Sequence, residues 1–372
     1  MDTITYVCPC LLGVEGFVAQ ELRDLGLDDV RAENGRVLFS GTMEAMARAN
    51  IGSRYSERVE ILLARFEARS FEELFQGVRA LPWEDWIGSD DAFPVRGHSV
   101  SSKLASIPDC QRIIKKAVVE RLKRTYRVDW FKETGPAHQI QFLIMKDTVS
   151  IMLDTTGPAL HKRGYRKNSA EAPIRETLAA AMVKAARVRS DGTFYDPFCG
   201  SGTLLIEATM TACHIAPGMA RRFSAENWGI VPGNVWQRER EAARAAILRD
   251  ATFQAFGSDI DGAAVALALD NARKAGVISK IRVERADIAD FRQETEYGCV
   301  VTNPPYGERL LDIRAAQELY RTMGKVFQPK HGWSFTIISP DEEFESCFGR
   351  RADKRRKLYN GMLKCQLYQY FR

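Results

Sequence analysis

The segment Asn303-Pro304-Pro305-Tyr306 carries the most chemical information in this chain of 372 residues. It directly follows an apolar run, Gly298 to Thr302, that reads as a strand. The Asn303 side-chain carbonyl and the Pro304 main-chain carbonyl are both acceptors, and Pro305 holds the second in a fixed direction. Two acceptors converging on one NH2 group take both its protons and leave its lone pair aimed at a methyl donor. Tyr306 offers a ring on which a base turned out of its stack can lie. An isolated Asn-Pro-Pro is also an ordinary strand terminator, so the reading depends on what accompanies it.

What accompanies it is a glycine loop, Asp196-Pro197-Phe198-Cys199-Gly200-Ser201-Gly202-Thr203, set between an apolar strand and the helix Leu204 to Cys213. Gly200 and Gly202 let the backbone pass close to a ligand, and the start of the helix presents free N–H groups. NAD is disfavoured, because the next strand ending in an acid, Phe253 to Asp259, comes only after a long helical insertion. A Walker loop is absent, since no Gly-Lys-Ser/Thr follows the glycines. Asp259 is placed to accept from a ribose, and Asp287, ending the third strand, to meet an adenine ring. Asp261 directly precedes a helix and reads as its cap. Three successive strands thus end in binding groups, at the edge where open α/β sheets take their ligands. Cys199 and Cys299 have no histidine beside them in sequence and read as packing residues.

These motifs need a frame. From Pro173 onward helices alternate with apolar strands at Gly192 to Tyr195, Phe253 to Gly257, Ile281 to Val283, Gly298 to Val301 and Ser334 to Ile338, the pattern of a doubly wound α/β sheet. The first half is α+β. A strand at Thr3 to Val7 precedes a helix at Val14 to Leu25, and Asn34-Gly35 joins Val30 to Glu33 with Arg36 to Phe39 as a type I′ hairpin requires. Strands are expected at Val59 to Phe66 and Phe93 to Val100, helices at Phe71 to Leu81 and Pro108 to Tyr126, and a hairpin from Gln139 to Leu153. The boundary is placed near residue 165.

Composition bounds the class. An apolar share of 45% with 27% charged residues is that of a soluble globular chain. No apolar run reaches the roughly 18 residues of a membrane helix. The N-terminus lacks a basic region before an apolar run, so a cytoplasmic protein is expected. Eight scattered cysteines are expected to be free thiols, and five histidines without zinc spacing argue for no metal. The net charge of +5 is mild, but residues 96 to 132 hold ten basic residues against three acidic ones. That run is either a solvated helix face or a phosphate-binding surface, with Arg112, Lys115, Lys116, Lys123 and Arg124 as its candidates. The segment from His161 to Lys167 is also basic, and its Arg163, Tyr165 and Arg166 join the same group.

DPFCGSGTLLIEA, GSDID and TNPPYGERL resemble the motifs of class I SAM-dependent methyltransferases that act on amines. Over nearly its whole length the chain is similar to the THUMP-containing ribosomal RNA guanine-N2 methyltransferases, the RlmL and YpsC-like family. SVSSKLASIPDCQRIIKKAVVERL, LHKRGYRKN, IAPGMARRFSAENW and RKLYNGMLKCQLYQY carry that resemblance outside the catalytic motifs. It implies a ferredoxin-like unit at 1–65, a THUMP RNA-binding domain at 66–160, a linker at 161–172 and a Rossmann-like domain at 173–372 with a mostly parallel seven-stranded sheet. It implies S-adenosyl-L-methionine (SAM) as cofactor and S-adenosyl-L-homocysteine as product. Asp196, Phe198, Gly200, Ser201, Gly202 and Thr203 would line the SAM loop. Asp259 and Ile260 would hold the ribose, Asp287 and Ile288 the adenine, and Asn303 to Tyr306 the target base. RNA is the expected partner, 23S ribosomal RNA or a large-subunit precursor, with no membrane and no metal. The family's long form carries a second methyltransferase domain, and the stand-alone form without that activity is expected here. Three rivals stand beside this reading: a tRNA guanine-N2 methyltransferase of the same architecture, a DNA adenine-N6 methyltransferase, and a non-catalytic RNA-binding assembly factor.

Overall fold

In the computed structural model, which describes residues 3–166, 174–307 and 313–371, the chain forms two seven-stranded sheets. The first contains β1 (Ile4–Pro9), β2 (Asp28–Glu33), β3 (Arg36–Gly41), β4 (Glu60–Glu67), β5 (Val95–Val100), β6 (Ile140–Met145) and β7 (Thr148–Asp154) in the order β2-β3-β1-β4-β7-β6-β5. Its helices are α1 (Glu15–Asp24), α2 (Met43–Gly52), α3 (Phe71–Arg79) and α4 (Ile107–Tyr126). Alternation explains the strands: Ile140, Phe142 and Ile144 of β6 point inward while the residues between them do not. Caps explain the helices: Ser70 and Glu73 close a capping box on α3, and the Ser106 hydroxyl accepts from the Asp109 amide on α4.

One sequence expectation changes. The hairpin at Asn34-Gly35 forms with Glu33 opposite Arg36, but only Gly35 has a positive φ, so the turn is not type I′, which needs both central residues there. The expected division at residue 65 falls inside β4, which pairs with β1 on one side and with β7 on the other. The ferredoxin-like and THUMP regions therefore share one continuous sheet.

The second half contributes α5 (Glu176–Ala185), β8 (Thr193–Asp196), α6 (Thr203–Ala212), α7 (Val235–Ala245), β9 (Gln254–Asp259), α8 (Gly262–Lys274) and β10 (Ile281–Arg285). After these come β11 (Gly298–Thr302), α9 (Ile313–Val326), β12 (Trp333–Ser339), α10 (Phe344–Phe348), β13 (Lys354–Asn360) and β14 (Leu363–Tyr370). The sheet order is β10-β9-β8-β11-β12-β14-β13. Pairing is parallel from β10 through β12, and β14 runs antiparallel to both β12 and β13. The chain thus builds outward from β8 in one direction and restarts at β11 in the other. The crevice at that reversal is where such sheets bind ligands.

The long insertion after α6 packs against the first half. The Gly218 amide donates to the Ile51 carbonyl at 2.9 Å, and a Cβ at Gly218 would fall 2.7 Å from Ile51. Trp228 stacks on the buried His138 at 4.4 Å and donates its indole N–H to the Ala137 carbonyl. Arg48 on α2 makes a two-pronged ion pair with Glu239 on α7.

Candidate active site

β8 and β11 are neighbours, so their carboxyl ends place Asp196 beside the residues leading into Asn303. The buried Thr302 hydroxyl donates to Asp196 Oδ1 at 2.7 Å, and the Phe198 amide donates to the same oxygen at 3.2 Å. Burial pushes the Asp196 carboxyl up to about 7, and these two donors only partly offset that. Beyond Asp196 the loop turns through Gly200 and Gly202, both at positive φ, and Gly202 caps α6. The Gly200 amide donates to Asp259 Oδ2 at 2.9 Å, which ties the loop to the end of β9. Behind the loop, Asn271 on α8 is buried and donates to the Ser201 carbonyl at 2.9 Å. Ser201 and Thr203 are buried with their hydroxyls 3.1 Å apart. Burial and the carboxylates of Asp196 and Asp259 push the Cys199 thiol up, and burial pushes Cys299 up to about 11, which suits packing roles.

At the end of β11, Pro304 is buried, while Asn303, Pro305 and Tyr306 are half-buried. The Tyr306 hydroxyl donates to Asn303 Oδ1 and accepts from Asn360 Nδ2 at 3.2 Å. The half-buried ring is thus held in place through its hydroxyl. Asn303 Oδ1 still has a second lone pair for an incoming amine. The Tyr320 hydroxyl, buried on α9, donates to the Pro305 carbonyl at 3.4 Å.

The groups along the strand ends fit SAM. Gly200 has open space where a Cβ would stand, and a Cβ on Gly257 would fall 2.4 Å from the Leu205 side chain. The backbone of the loop is thus bare on the outside and tightly backed within. Ile260 is 63% exposed, a large apolar side chain left uncovered between Asp259 and the capping Asp261, as an apolar ring requires. Asp287 is exposed, accepts from the Ala289 amide at 2.8 Å and precedes the buried Ile288. Asp259 and Asp287 would hold the ribose and adenine, the glycine loop the remainder, and bound SAM would supply a methyl group activated by a sulfonium centre.

Three family models match in chain order: an RlmL ferredoxin-like domain at 5–60, a THUMP domain at 68–154, and an RMKL-like methyltransferase domain at 163–369. The last covers more than half of the chain. The chain belongs to the RMKL-like methyltransferase family. It is 42% identical to the "Putative RNA methyltransferase YpsC" of Bacillus subtilis (strain 168), over all of this chain and 97% of that protein. It is 35% identical to the "Ribosomal RNA large subunit methyltransferase K/L" of Shewanella sediminis, over 96% of this chain but only 51% of that protein. The chain thus spans about half the length of the K/L relative. Among solved structures it is similar to "SMU.472, a putative methyltransferase complexed with SAH", at 43% identity and a TM-score of 0.94, covering all of this chain and 98% of the other. As a member of this family the protein uses SAM.

For the RMKL-like chain the linker residues need correction. Arg163 and Tyr165 are buried, and both reach Glu207 on α6, Arg163 at 3.3 and 3.4 Å and the Tyr165 hydroxyl at 3.2 Å. Arg166 is half-buried, pairs with Glu176 at 2.9 Å and donates to the Thr203 hydroxyl at 3.1 Å. These cations brace the helix behind the glycine loop; paired with the buried carboxylates of Glu207 and Glu176, they do not offer themselves to phosphate. Lys167 and Asn168 of the linker motif, Pro173, and Glu308 to Leu310 after Tyr306 lie outside the described residues.

The α4 candidates divide. Lys115 is committed to structure: it pairs with Glu133 at 2.6 Å, donates to the Phe93 carbonyl and sits 3.5 Å over the Phe93 ring. Arg112, Lys116 and Arg124 are exposed and Lys123 half-buried, although Arg112 also pairs with Asp109 on its own turn. An open depression is lined by Arg112, Lys115 and Lys116 together with Pro94 and Val95. Just beyond α4, Trp130 is 82% exposed. Sequence reasoning passes it over, although an indole closing a basic run is the available signal. Asn271, Asn360 and Tyr320 are missed too, for they bear on the site only through contacts distant in sequence.

Among the described residues no helix is long and apolar enough to cross a membrane.

Proposed function

We propose that this protein transfers the SAM methyl group to the exocyclic N2 amine of a guanine in 23S ribosomal RNA. The observation that carries the reading is the placement of Asn303 beside the glycine loop, through the Thr302 to Asp196 bond at the sheet's reversal. Asn303 Oδ1 and the Pro304 carbonyl accept the two amine protons and direct the nitrogen lone pair. The nitrogen–carbon bond forms as the sulfur–carbon bond breaks, and the proton lost from the methylated amine passes to water. Catalysis then rests on position and polarisation, with no covalent enzyme intermediate.

RNA is supported by the THUMP match, by the exposed Lys116 and Arg124 on α4 and by the bare Trp130, a combination suited to phosphates and to a stacked base. The large-subunit RNA is supported by the name of the K/L relative, and the N2 amine by the family resemblance. Within this reading Asp196, Phe198, Gly200, Ser201, Gly202, Thr203, Asp259, Ile260, Asp287 and Ile288 bind the cofactor, Asn303 to Tyr306 the target base, and the protein acts in the cytoplasm.

The test is transfer of labelled methyl from SAM to unmodified large-subunit ribosomal RNA, tRNA and DNA in parallel, for wild type and Asn303→Ala, with the product digested to nucleosides. Label in N2-methylguanosine from ribosomal RNA, lost in Asn303→Ala, is the expected result. Label in tRNA would move the substrate, N6-methyladenine in DNA would replace the reading, and no label anywhere would favour a non-catalytic assembly factor.

A further inference from the structure

The segment from Arg356 to Tyr370 lies outside the catalytic motifs. It belongs to the antiparallel pair β13 and β14, whose turn through Gly361 and Met362 sets Asn360 opposite Leu363. An Asn-Gly pair at such a place suits a turn by itself. The Asn360 side chain does something else: its Nδ2 lies 3.2 Å from the Tyr306 hydroxyl, 54 residues away in sequence. That hydroxyl in turn donates to Asn303 Oδ1.

A phenolic hydroxyl has one proton to give. An NH2 group on its acceptor side leaves that proton for Asn303 and sets its direction. With one lone pair of Asn303 Oδ1 so occupied, the carboxamide plane is held and the other lone pair stays available to an amine. β13 is itself held from the opposite end. The Arg356 guanidinium donates to the Gly13 carbonyl at 3.0 Å and lies 4.4 Å over the Phe17 ring. A Cβ at Gly13 would fall 2.7 Å from the Lys357 carbonyl oxygen, so the N-terminal unit presses directly on this strand. Leu358, the next residue along the strand, is buried.

We propose that Asn360 is a positioning residue for methyl transfer, acting through Tyr306 on Asn303, and that β13 references this chain of contacts to the N-terminal unit. The proposal rests on the reading of Asn303 to Tyr306 as the amine-binding group. Asn360 touches neither amine nor cofactor in this scheme; it selects the orientation of a proton.

Asn360→Asp separates this role from a turn. Aspartate suits the turn as asparagine does, but its carboxylate only accepts, so it would draw the Tyr306 proton away from Asn303. With unmodified large-subunit ribosomal RNA as substrate, Asn360→Asp and Asn360→Ala should each lower kcat by about tenfold, the loss of one oriented hydrogen bond. KM for the RNA, SAM affinity by calorimetry and the melting temperature should stay at wild-type values. In a Tyr306→Phe background, which keeps the ring and removes the hydroxyl, neither substitution should lower kcat further. Wild-type kcat in Asn360→Asp, or an equal loss in both backgrounds, overturns the proposal. Asn303→Ala reads the other premise: if it retains full transfer, the amine-binding reading fails instead, and the two failures are told apart.

Discussion

The Thr302 hydroxyl donates to Asp196 Oδ1 across 2.7 Å, linking the last residue of β11 to the last residue of β8 in the interior of the sheet. Those strands open the two wings of the sheet, so this bond joins the glycine loop to the turn from Asn303 to Tyr306. Neither strand alone would bring the two together.

Asp196 makes stability depend on pH. Its folded-state value is raised to about 7, so between the ordinary aspartate range and pH 7 the folded chain holds a proton that the unfolded chain releases. The contribution is fully present below about pH 4 and is lost as pH rises through 7, by at most about 4 kcal/mol. Urea unfolding of Asp196→Asn across this range should show a shallower decline than wild type. Parallel curves would mean that Asp196 is ionised at little cost.

Arg163 and Glu207 test the corrected role of the linker. Arg163→Ala leaves the Glu207 carboxylate buried with the Tyr165 hydroxyl as its remaining side-chain hydrogen-bond partner among the described residues, and should cost about 3–5 kcal/mol in folding stability. Affinity for RNA, measured on the folded protein, should not change. Intact stability with weakened RNA binding would restore the surface role.

Gly202 is a backbone requirement. Its φ is +79°, and a Cβ there would meet Ala268 on α8 at 3.0 Å. Gly202→Ala should therefore cost roughly 1–3 kcal/mol in stability and weaken SAM binding as the loop shifts. Calorimetric titration with SAM reads the second effect, and undiminished affinity would detach Gly202 from the cofactor site.

The α4 surface predicts a graded response. Lys116→Glu with Arg124→Glu should weaken RNA binding and flatten its salt dependence, by roughly one unit of slope for each phosphate that goes unneutralised. Trp130→Ala should cost about 1–3 kcal/mol of affinity with the salt slope unchanged, since stacking releases no counterions. Lys115→Ala should act mainly on stability, because its charge is spent on Glu133 and Phe93. Filter binding at several salt concentrations distinguishes the three.

Where a feature depends on a few adjacent residues, residue order is enough to place it. The glycine loop, the acids ending β9 and following β10, the Asp261 cap and the Asn303 to Tyr306 turn are each legible from strand, spacing and residue type, because their geometry is local. The folded arrangement settles what depends on burial and on distant partners. Arg163, Tyr165 and Arg166 look as available for phosphate as Lys116 does until Glu207 and Glu176 are found facing them. Desolvation, not charge, sets what a cation can do, and no local pattern records it. The same holds for Asn360, a turn residue by its neighbours and a partner of Tyr306 only because the antiparallel return of β14 sets β13 at the sheet's edge beside the turn from Asn303 to Tyr306.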